Sequence, residues 1–113
     1  MSAKLSTHVL DLVTGKPAAG MRIELWQRAA ETGGRTLRKT VLTNADGRTD
    51  APLFTAEEMA AGDYELIFFV GDYFGDRTFL DRVPVCFRIS DAAAGCHVPL
   101  LCTPWAYSTY RGS

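Results

Sequence analysis

The sequence predicts an all-β protein, an antiparallel β-sandwich of about seven or eight short strands formed by one domain over residues 1–113. Short runs of residues alternate between apolar and polar side chains, and turn-forming residues separate these runs about every 8–12 positions. A chain of 113 residues is also long enough for one core, because a domain of this size buries roughly two-thirds of its unfolded surface.

The first half of the chain contains three of the predicted strands. In the first, Leu5 to Val13, one face carries Ser6, His8, Leu10 and Leu12 and the other carries Leu5, Thr7, Val9 and Asp11. Turn residues occupy positions 14–20. Residues 21–27 form a second strand, in which we expect Met21, Ile23, Leu25 and Gln27 to face inward and Arg22, Glu24 and Trp26 to face outward. Residues 37–42 form a third strand.

Two local signals follow the third strand. Residues 44–47, Asn-Ala-Asp-Gly, favour a tight reversal, which would deliver Arg48 to a rim of the sandwich. Residues 55–62 begin with Thr55, carry Glu58 three residues later and end at Gly62. That order is typical of a capped helical turn, so we expect a single turn at Thr55.

The second half contains strands over residues 64–70, 83–89 and 96–102, and the last leads through Pro104 into a tail, residues 103–113. The tail ends in Tyr110, Arg111, Gly112 and Ser113. Such density of hydrogen-bonding groups favours a functional site, although a chain end of this kind can also be an edge strand with a solvated tip. We expect Gly112 to permit a backbone turn that a side chain would obstruct.

Composition and charge exclude several classes of function. The formal net charge of −1 is spread without blocks, so the chain lacks the electrostatic footprint of a protein that binds nucleic acid or anionic membrane. The three cysteines, Cys86, Cys96 and Cys102, lie in apolar runs, and an odd number cannot close a disulfide framework. Free buried thiols are therefore expected. Since no secretory signal is recognisable, the expected location is the cytoplasm, and the expected partner is a small neutral molecule or another protein surface.

The two histidines, His8 and His97, lie on strand faces that also carry apolar residues. His8 shares its face with Leu10 and Leu12, and His97 shares its face with Leu101. Apolar rows on an outer face usually mark an interface. We therefore expect the sheet to dock on another copy of the chain, with shelter by a loop of the same chain as the alternative.

Four ordered blocks resemble the transthyretin family, and in particular its hydrolytic branch. They are LSTHVLD at residues 5–11, TNADGRTD at 43–50, HVPLL at 97–101 and YSTYRGS at 107–113. Blocks that span nearly the whole chain are more specific than any one short motif. The resemblance implies a transthyretin-like sandwich with its main helix near Asp72 to Arg77. It also implies a symmetric homotetramer, a dimer of dimers, with the site at the interface.

The activity implied by this resemblance is hydrolysis of 5-hydroxyisourate, a cyclic amide of urate degradation, to 2-oxo-4-hydroxy-4-carboxy-5-ureidoimidazoline, without a cofactor or a metal. His8 and His97 would activate water, since the unperturbed pKa of histidine is about 6.5. Arg48 would bind a ureide oxygen or the developing oxyanion, and Tyr110 would orient the purine ring, with His8 and Arg48 also contacting the substrate. Ser113, through its hydroxyl or its carboxylate, would polarise a histidine or donate a proton.

Three alternatives remain open at this point. A metal site is disfavoured, because the chain contains neither His-x-His nor His-x-x-x-His and a zinc site needs three or four ligands. A transthyretin-like carrier of a small aromatic ligand would need the fold but no catalysis. A purely structural sandwich would leave the terminal motif without a function.

Overall fold

The computed structural model describes residues 3–112, and within that range the chain forms eight strands and one short helix. The elements are β1 (Leu5–Asp11), β2 (Lys16–Pro17), β3 (Arg22–Arg28), β4 (Arg35–Leu42), β5 (Gly62–Phe68), α1 (Val70–Phe74), β6 (Val83–Ile89), β7 (Cys96–Cys102) and β8 (Tyr107–Thr109). Two four-stranded sheets result, in the orders β2-β1-β7-β8 and β4-β3-β5-β6. The predicted β-sandwich is confirmed, and one neighbouring pair within it, β1 and β7, runs parallel.

The core lies between the two sheets and follows the period-2 alternation of their strands. Buried apolar side chains come from every long strand except β4, including Leu5 and Val9, Ile23 and Leu25, Leu66 and Phe68, Val83 and Val85, and Val98 and Leu100. Tyr64 lies among them: its ring packs edge-on against Phe54 at 5.5 Å and stacks on Phe87 at 5.9 Å. Its hydroxyl donates to the Ala60 carbonyl at 2.8 Å, so the polar end of this buried ring is satisfied.

Strand β3 departs from the predicted alternation at two positions. Glu24, expected to face solvent, is only 8% exposed, and Gln27, expected to face the core, is half-buried. The β-bulge beside Leu25 and Trp26 has its extra residue, Arg38, in β4. Strand β3 pairs with β5 without a shift, and the Gln27 side-chain oxygen accepts a hydrogen bond from Arg38. The Glu24 carboxylate accepts hydrogen bonds from the Arg22 guanidinium at 2.7 Å and from the Trp26 indole at 3.0 Å, which compensate its burial.

The main helix begins at Val70 and ends at Phe74, earlier than the range near Asp72 to Arg77 that the resemblance implied, and Gly75 caps it with a φ of 67°. A glycine in this left-handed conformation is a common end of a helix. The single turn expected at Thr55 is confirmed, because the Glu58 and Met59 N–H groups both donate to the Thr55 carbonyl. The Glu58 carboxylate binds the Lys39 ammonium and the Thr55 N–H, and these bonds lower the pKa of Glu58 to about 2.

Helix α1 is tied to the end of β1 through Asp11, which is 3% exposed. The Tyr73 hydroxyl donates to one carboxylate oxygen of Asp11 at 2.8 Å. The other oxygen accepts the N–H groups of Val13 and Thr14 at 2.8 and 3.1 Å. Burial and the bond to Asp11 raise the pKa of Tyr73 to about 12. The aspartate that follows the first strand is therefore a structural anchor.

All three cysteines are free thiols, as predicted, but they are not all buried. Cys102 is buried, Cys96 is half-buried, and Cys86 is exposed, because its side chain alternates outward on the edge strand β6. Burial and the nearby Asp11 carboxylate raise the pKa of Cys102 to about 12, so this thiol stays protonated. Within residues 3–112, the short helix is not long and apolar enough to cross a membrane.

Candidate active site

The parallel pairing of β1 with β7 brings both histidines to the same outer face of one sheet. In this ladder Ser6 lies beside His97, and His8 lies beside Pro99. Residues paired across two strands point to the same side of the sheet. The two imidazoles are therefore diagonal neighbours: they lie on adjacent strands, and two residues separate them along the strand direction. The opposite face of β1, with Leu5, carries the core. The structure thus confirms that the core does not need the histidine side of β1.

Arg48 is held at the edge of this face by the turn over residues 44–47. The Asn44 side-chain oxygen accepts the N–H groups of Asp46 at 2.9 Å and Arg48 at 3.2 Å. Gly47 has a φ of 72°, and a Cβ atom there would lie 2.4 Å from the Val9 carbonyl oxygen. The turn can therefore dock on β1 only with glycine at this position, and that docking carries Arg48 to the rim, where it is exposed as predicted.

The C-terminal tail packs against β7 as far as the structure describes it. Strand β8 pairs antiparallel with β7, and the Gly112 N–H donates to the His97 carbonyl at 3.0 Å. A Cβ atom on Gly112 would lie 2.3 Å from Cδ2 of the His97 ring. The φ of Gly112 is not in the left-handed region, so glycine is required here by close approach to the imidazole, not by the backbone turn that we expected. Ser113 lies outside the described residues.

These elements enclose a cleft of about 620 Å³, which is within the range of small-molecule sites. His8, Arg48, His97 and Tyr110, the described residues for which the sequence predicted a role, all line it. Its full lining is Lys4, Ser6, Thr7, His8, Arg48, Thr49, Asp50, Ala51, Pro52, His97, Tyr110 and Gly112. Lys4, Ser6 and Asp50 were not predicted from the sequence as site residues. For Ser6, its position on the same strand face as His8 could have indicated that it lies in the site.

The electrostatics of the cleft keep His97 neutral. Burial lowers the pKa of His97, and the positive charge of Arg48 and the neighbouring His8 lower it further, while a main-chain hydrogen bond with Ser6 acts in the opposite direction. These effects favour the unprotonated imidazole, the form that can accept a proton. The Ser6 hydroxyl oxygen lies 2.8 Å from Nδ1 of His97, which leaves Nε2 as the ring nitrogen available for chemistry.

Tyr110 and Arg111 differ in which cavities they line. Tyr110 is 60% exposed and lines both the histidine cleft and a second cavity of about 500 Å³ between β6, β7 and the tail. Arg111 lines only the second cavity. The predicted site residues His8, Arg48, His97 and Tyr110 therefore come together, and Arg111 does not join them.

No three His, Cys, Asp or Glu side chains among residues 3–112 lie close enough to hold a metal ion. What the cleft does present is a neutral imidazole, a second imidazole, a fixed cation and an exposed phenol. A neutral imidazole can take a proton from water, and a guanidinium can stabilise an oxyanion. The arrangement is suited to hydrolysis of an amide or ester by an activated water.

Comparison with known proteins identifies the family. A 5-hydroxyisourate hydrolase of Mesorhizobium japonicum is 52% identical over 97% of this chain and 92% of its own length. The structure of the 5-hydroxyisourate hydrolase of Klebsiella pneumoniae superposes with a TM-score of 0.81 at 37% identity, covering 98% of this chain and 100% of that one. Sea bream transthyretin in complex with thyroxine gives a TM-score of 0.87 at 28% identity, covering 97% and 95%. Residues 5–112 match the family model described as the HIUase/Transthyretin family, and the chain belongs to that family.

Proposed function

We propose that this protein is a hydrolase that opens the ring of 5-hydroxyisourate in purine degradation, giving 2-oxo-4-hydroxy-4-carboxy-5-ureidoimidazoline. One observation carries the proposal: a single cleft holds His8, Arg48, His97 and Tyr110. The relatives named 5-hydroxyisourate hydrolase, at 42–52% identity over nearly the whole chain, support the substrate.

In the proposed reaction, water attacks the carbonyl carbon of the cyclic amide. The His8 and His97 pair takes a proton from that water as the new C–O bond forms. The carbonyl oxygen becomes an oxyanion, which Arg48 stabilises through its fixed charge and planar donors. When the C–N bond of the ring breaks, the nitrogen must receive a proton; the protonated histidine or Ser113 supplies it.

The substrate needs orientation as well as activation. Tyr110 borders the cleft with its ring exposed, and an aromatic face of this kind can stack on a planar heterocycle. We propose that it orients the purine-derived ring while His8 and Arg48 contact the ureide oxygens. No cofactor takes part in this scheme.

We also propose that the protein assembles as a homotetramer, a dimer of dimers, with the cleft at the interface. Apolar groups beyond the core support this. Leu12 is 51% exposed at the end of β1, and Trp105 is 61% exposed in the turn before β8. The Leu12 N–H donates to the Cys102 carbonyl at 3.0 Å, so Leu12 lies beside the end of β7, from which the turn with Trp105 begins. Exposed apolar side chains that cluster in one region are typical of an interface. Sedimentation at micromolar concentration should give the tetramer mass, and a stable, active monomer would overturn the assembly.

The proposed location is the cytoplasm. The three free thiols of Cys86, Cys96 and Cys102 support a reducing compartment. Fractionation of the source cells, with detection of the untagged protein, tests this point. Recovery from an oxidising compartment would contradict it.

Hydrolysis is tested by following the absorbance of freshly made 5-hydroxyisourate with and without the protein. We expect His8→Gln and His97→Gln each to lower kcat by about 10²–10⁴-fold, the usual contribution of an acid–base group. Arg48→Met should lower kcat by about 10²–10³-fold, the usual contribution of one oxyanion donor. Thermal unfolding should change little, because these side chains lie outside the core. Arg88→Gln is the matched control: its exposed ion pair with Asp63 contributes little to stability, and activity should be unchanged.

One result would refute the proposal. Wild-type protein that leaves the decay of 5-hydroxyisourate at its spontaneous rate is not this hydrolase. If such protein instead binds thyroxine, the ligand of the sea bream transthyretin complex, the transthyretin-like carrier is the correct function.

A further inference from the structure

Ser6 is the residue that contacts the ring of His97 through a side-chain hydrogen bond. The two residues are direct neighbours in the parallel β1–β7 ladder, and the Ser6 Oγ lies 2.8 Å from Nδ1. Because both ends of this contact are set by strands in one sheet, the hydrogen bond is fixed by the register of the fold. A one-residue slip of β1 would turn Ser6 to the opposite face.

The tail fixes the opposite side of the same ring. Gly112 approaches so closely that a Cβ atom there would lie 2.3 Å from Cδ2 of His97. With Nδ1 against Ser6 and Cδ2 against Gly112, the Cε1–Nε2 edge is the part of the imidazole that remains for the cleft. The ring cannot flip without breaking the bond to Ser6 and placing another edge against the glycine.

The charges around His97 decide which nitrogen carries the proton. On the cleft side lie Lys4, His8, Arg48 and Asp50, and on the tail side lie Cys96 and Arg111. Burial lowers the pKa of His97, and the charges of Arg48 and His8 lower it further. A guanidinium has only donors, so it favours a bare nitrogen on the cleft edge. The N–H then belongs on Nδ1, where the Ser6 oxygen can accept it.

We propose that Ser6 is a positioning residue that accepts a hydrogen bond from Nδ1–H of His97 and so presents the bare Nε2 of this ring to the cleft. This inference rests on the proposed function for its catalytic consequence: a bare Nε2 is what proton removal from water requires. The tautomer itself is a property of the folded protein and is measurable without substrate.

The tautomer is tested by two-bond ¹H–¹⁵N correlation spectra of the imidazoles at neutral pH. The chain has two histidines, so His8→Gln leaves His97 as the only signal to assign. We expect a protonated, pyrrole-like Nδ1 and a bare, pyridine-like Nε2 in the wild type, with a shift toward a mixture in Ser6→Ala. A pyridine-like Nδ1 in the wild type overturns the proposal, and so does a Ser6→Ala spectrum that matches the wild type.

The catalytic consequence is tested on 5-hydroxyisourate with three variants. Ser6→Ala should lower kcat by about tenfold, the value of one net hydrogen bond, with KM nearly unchanged. Ser6→Thr keeps the hydroxyl and should retain most of the rate. Ser90→Ala changes an exposed serine that does not line the histidine cleft, and it should match the wild type. A Ser6→Ala rate within about twofold of wild type, or no rescue by threonine in a folded variant, overturns the role of Ser6. An inactive wild type refutes the hydrolase proposal but leaves the tautomer measurement valid.

Discussion

Replacing Gly112 with alanine should strongly lower activity without unfolding the protein. The new Cβ would lie 2.3 Å from Cδ2, 3.0 Å from Cγ and 3.2 Å from Cβ of His97. Non-bonded carbons prefer about 3.5–4.0 Å, so the ring and the tail must separate by roughly 1.2–1.7 Å at the closest contact. Either the His97 ring moves and loses its hydrogen bond to Ser6, or the tail moves and loses its pairing with β7.

A displacement of that size is large on the scale of catalysis. A misplacement of about 1 Å can cost on the order of 10²-fold in rate, and we expect a loss of about this size in kcat for Gly112→Ala. Stability should change by about 1 kcal/mol or less, because alanine restricts the unfolded chain and the contact lies near the chain end. The assay is 5-hydroxyisourate turnover, with thermal unfolding measured in parallel.

Gly95→Ala provides the matched control. Gly95 directly precedes β7, and a Cβ atom there would meet the Lys4 carbonyl oxygen at 3.7 Å, an ordinary contact. This variant should keep full activity. If the kcat of Gly112→Ala also stays within about twofold of wild type, the tail moves aside without displacing His97, and close packing against Gly112 does not position the ring.

Three further changes test the site and its support. Deleting residues 110–113 should strongly lower hydrolysis and leave circular dichroism nearly unchanged, because strand β8 ends before them; a fully active deletion would contradict a role for the tail. Arg48→Met should raise the pKa of His97 toward its ordinary value of about 6.5, since the lost cation had favoured the neutral ring, and an NMR titration measures this; a pKa that stays or falls would contradict the electrostatics. Tyr73→Phe should lower the free energy of unfolding by about 1–3 kcal/mol, because it leaves the buried Asp11 carboxylate without one donor. Turnover by the folded Tyr73→Phe protein should match the wild type.

The sequence predicts which face of a strand each side chain occupies, but it does not predict which strands lie side by side. Alternation alone shows that His8 points away from Leu5, because successive side chains point to opposite faces. It does not show which strand lies beside β1 or in which direction that strand runs. The contact between Ser6 and His97 depends on that pairing, so no local pattern could reveal it.

The departures at Glu24 and Gly112 depend on side-chain contacts that alternation does not show. Glu24 is buried because Arg22 and Trp26, its neighbours on the same face of β3, donate hydrogen bonds to its carboxylate. Gly112 stands out in the sequence as a glycine, but the reason for it is the imidazole of His97 on the adjacent strand β7. Tight turns, by contrast, are local, and the turn before Arg48 was predicted correctly from its own four residues.

The pairing of β1 with β7 makes catalysis a late event in folding. Ser6 and His97 are 91 residues apart in the chain, so the site closes only after the chain from β1 through β7 has been made and these two strands have paired. Closing so long a loop costs entropy that short hairpins do not. The β3, β4 and β5 strands, which pair through antiparallel neighbours, can form earlier. A chain emerging from the ribosome would therefore acquire its second sheet first, and the return of activity during refolding would report the docking of β1 against β7.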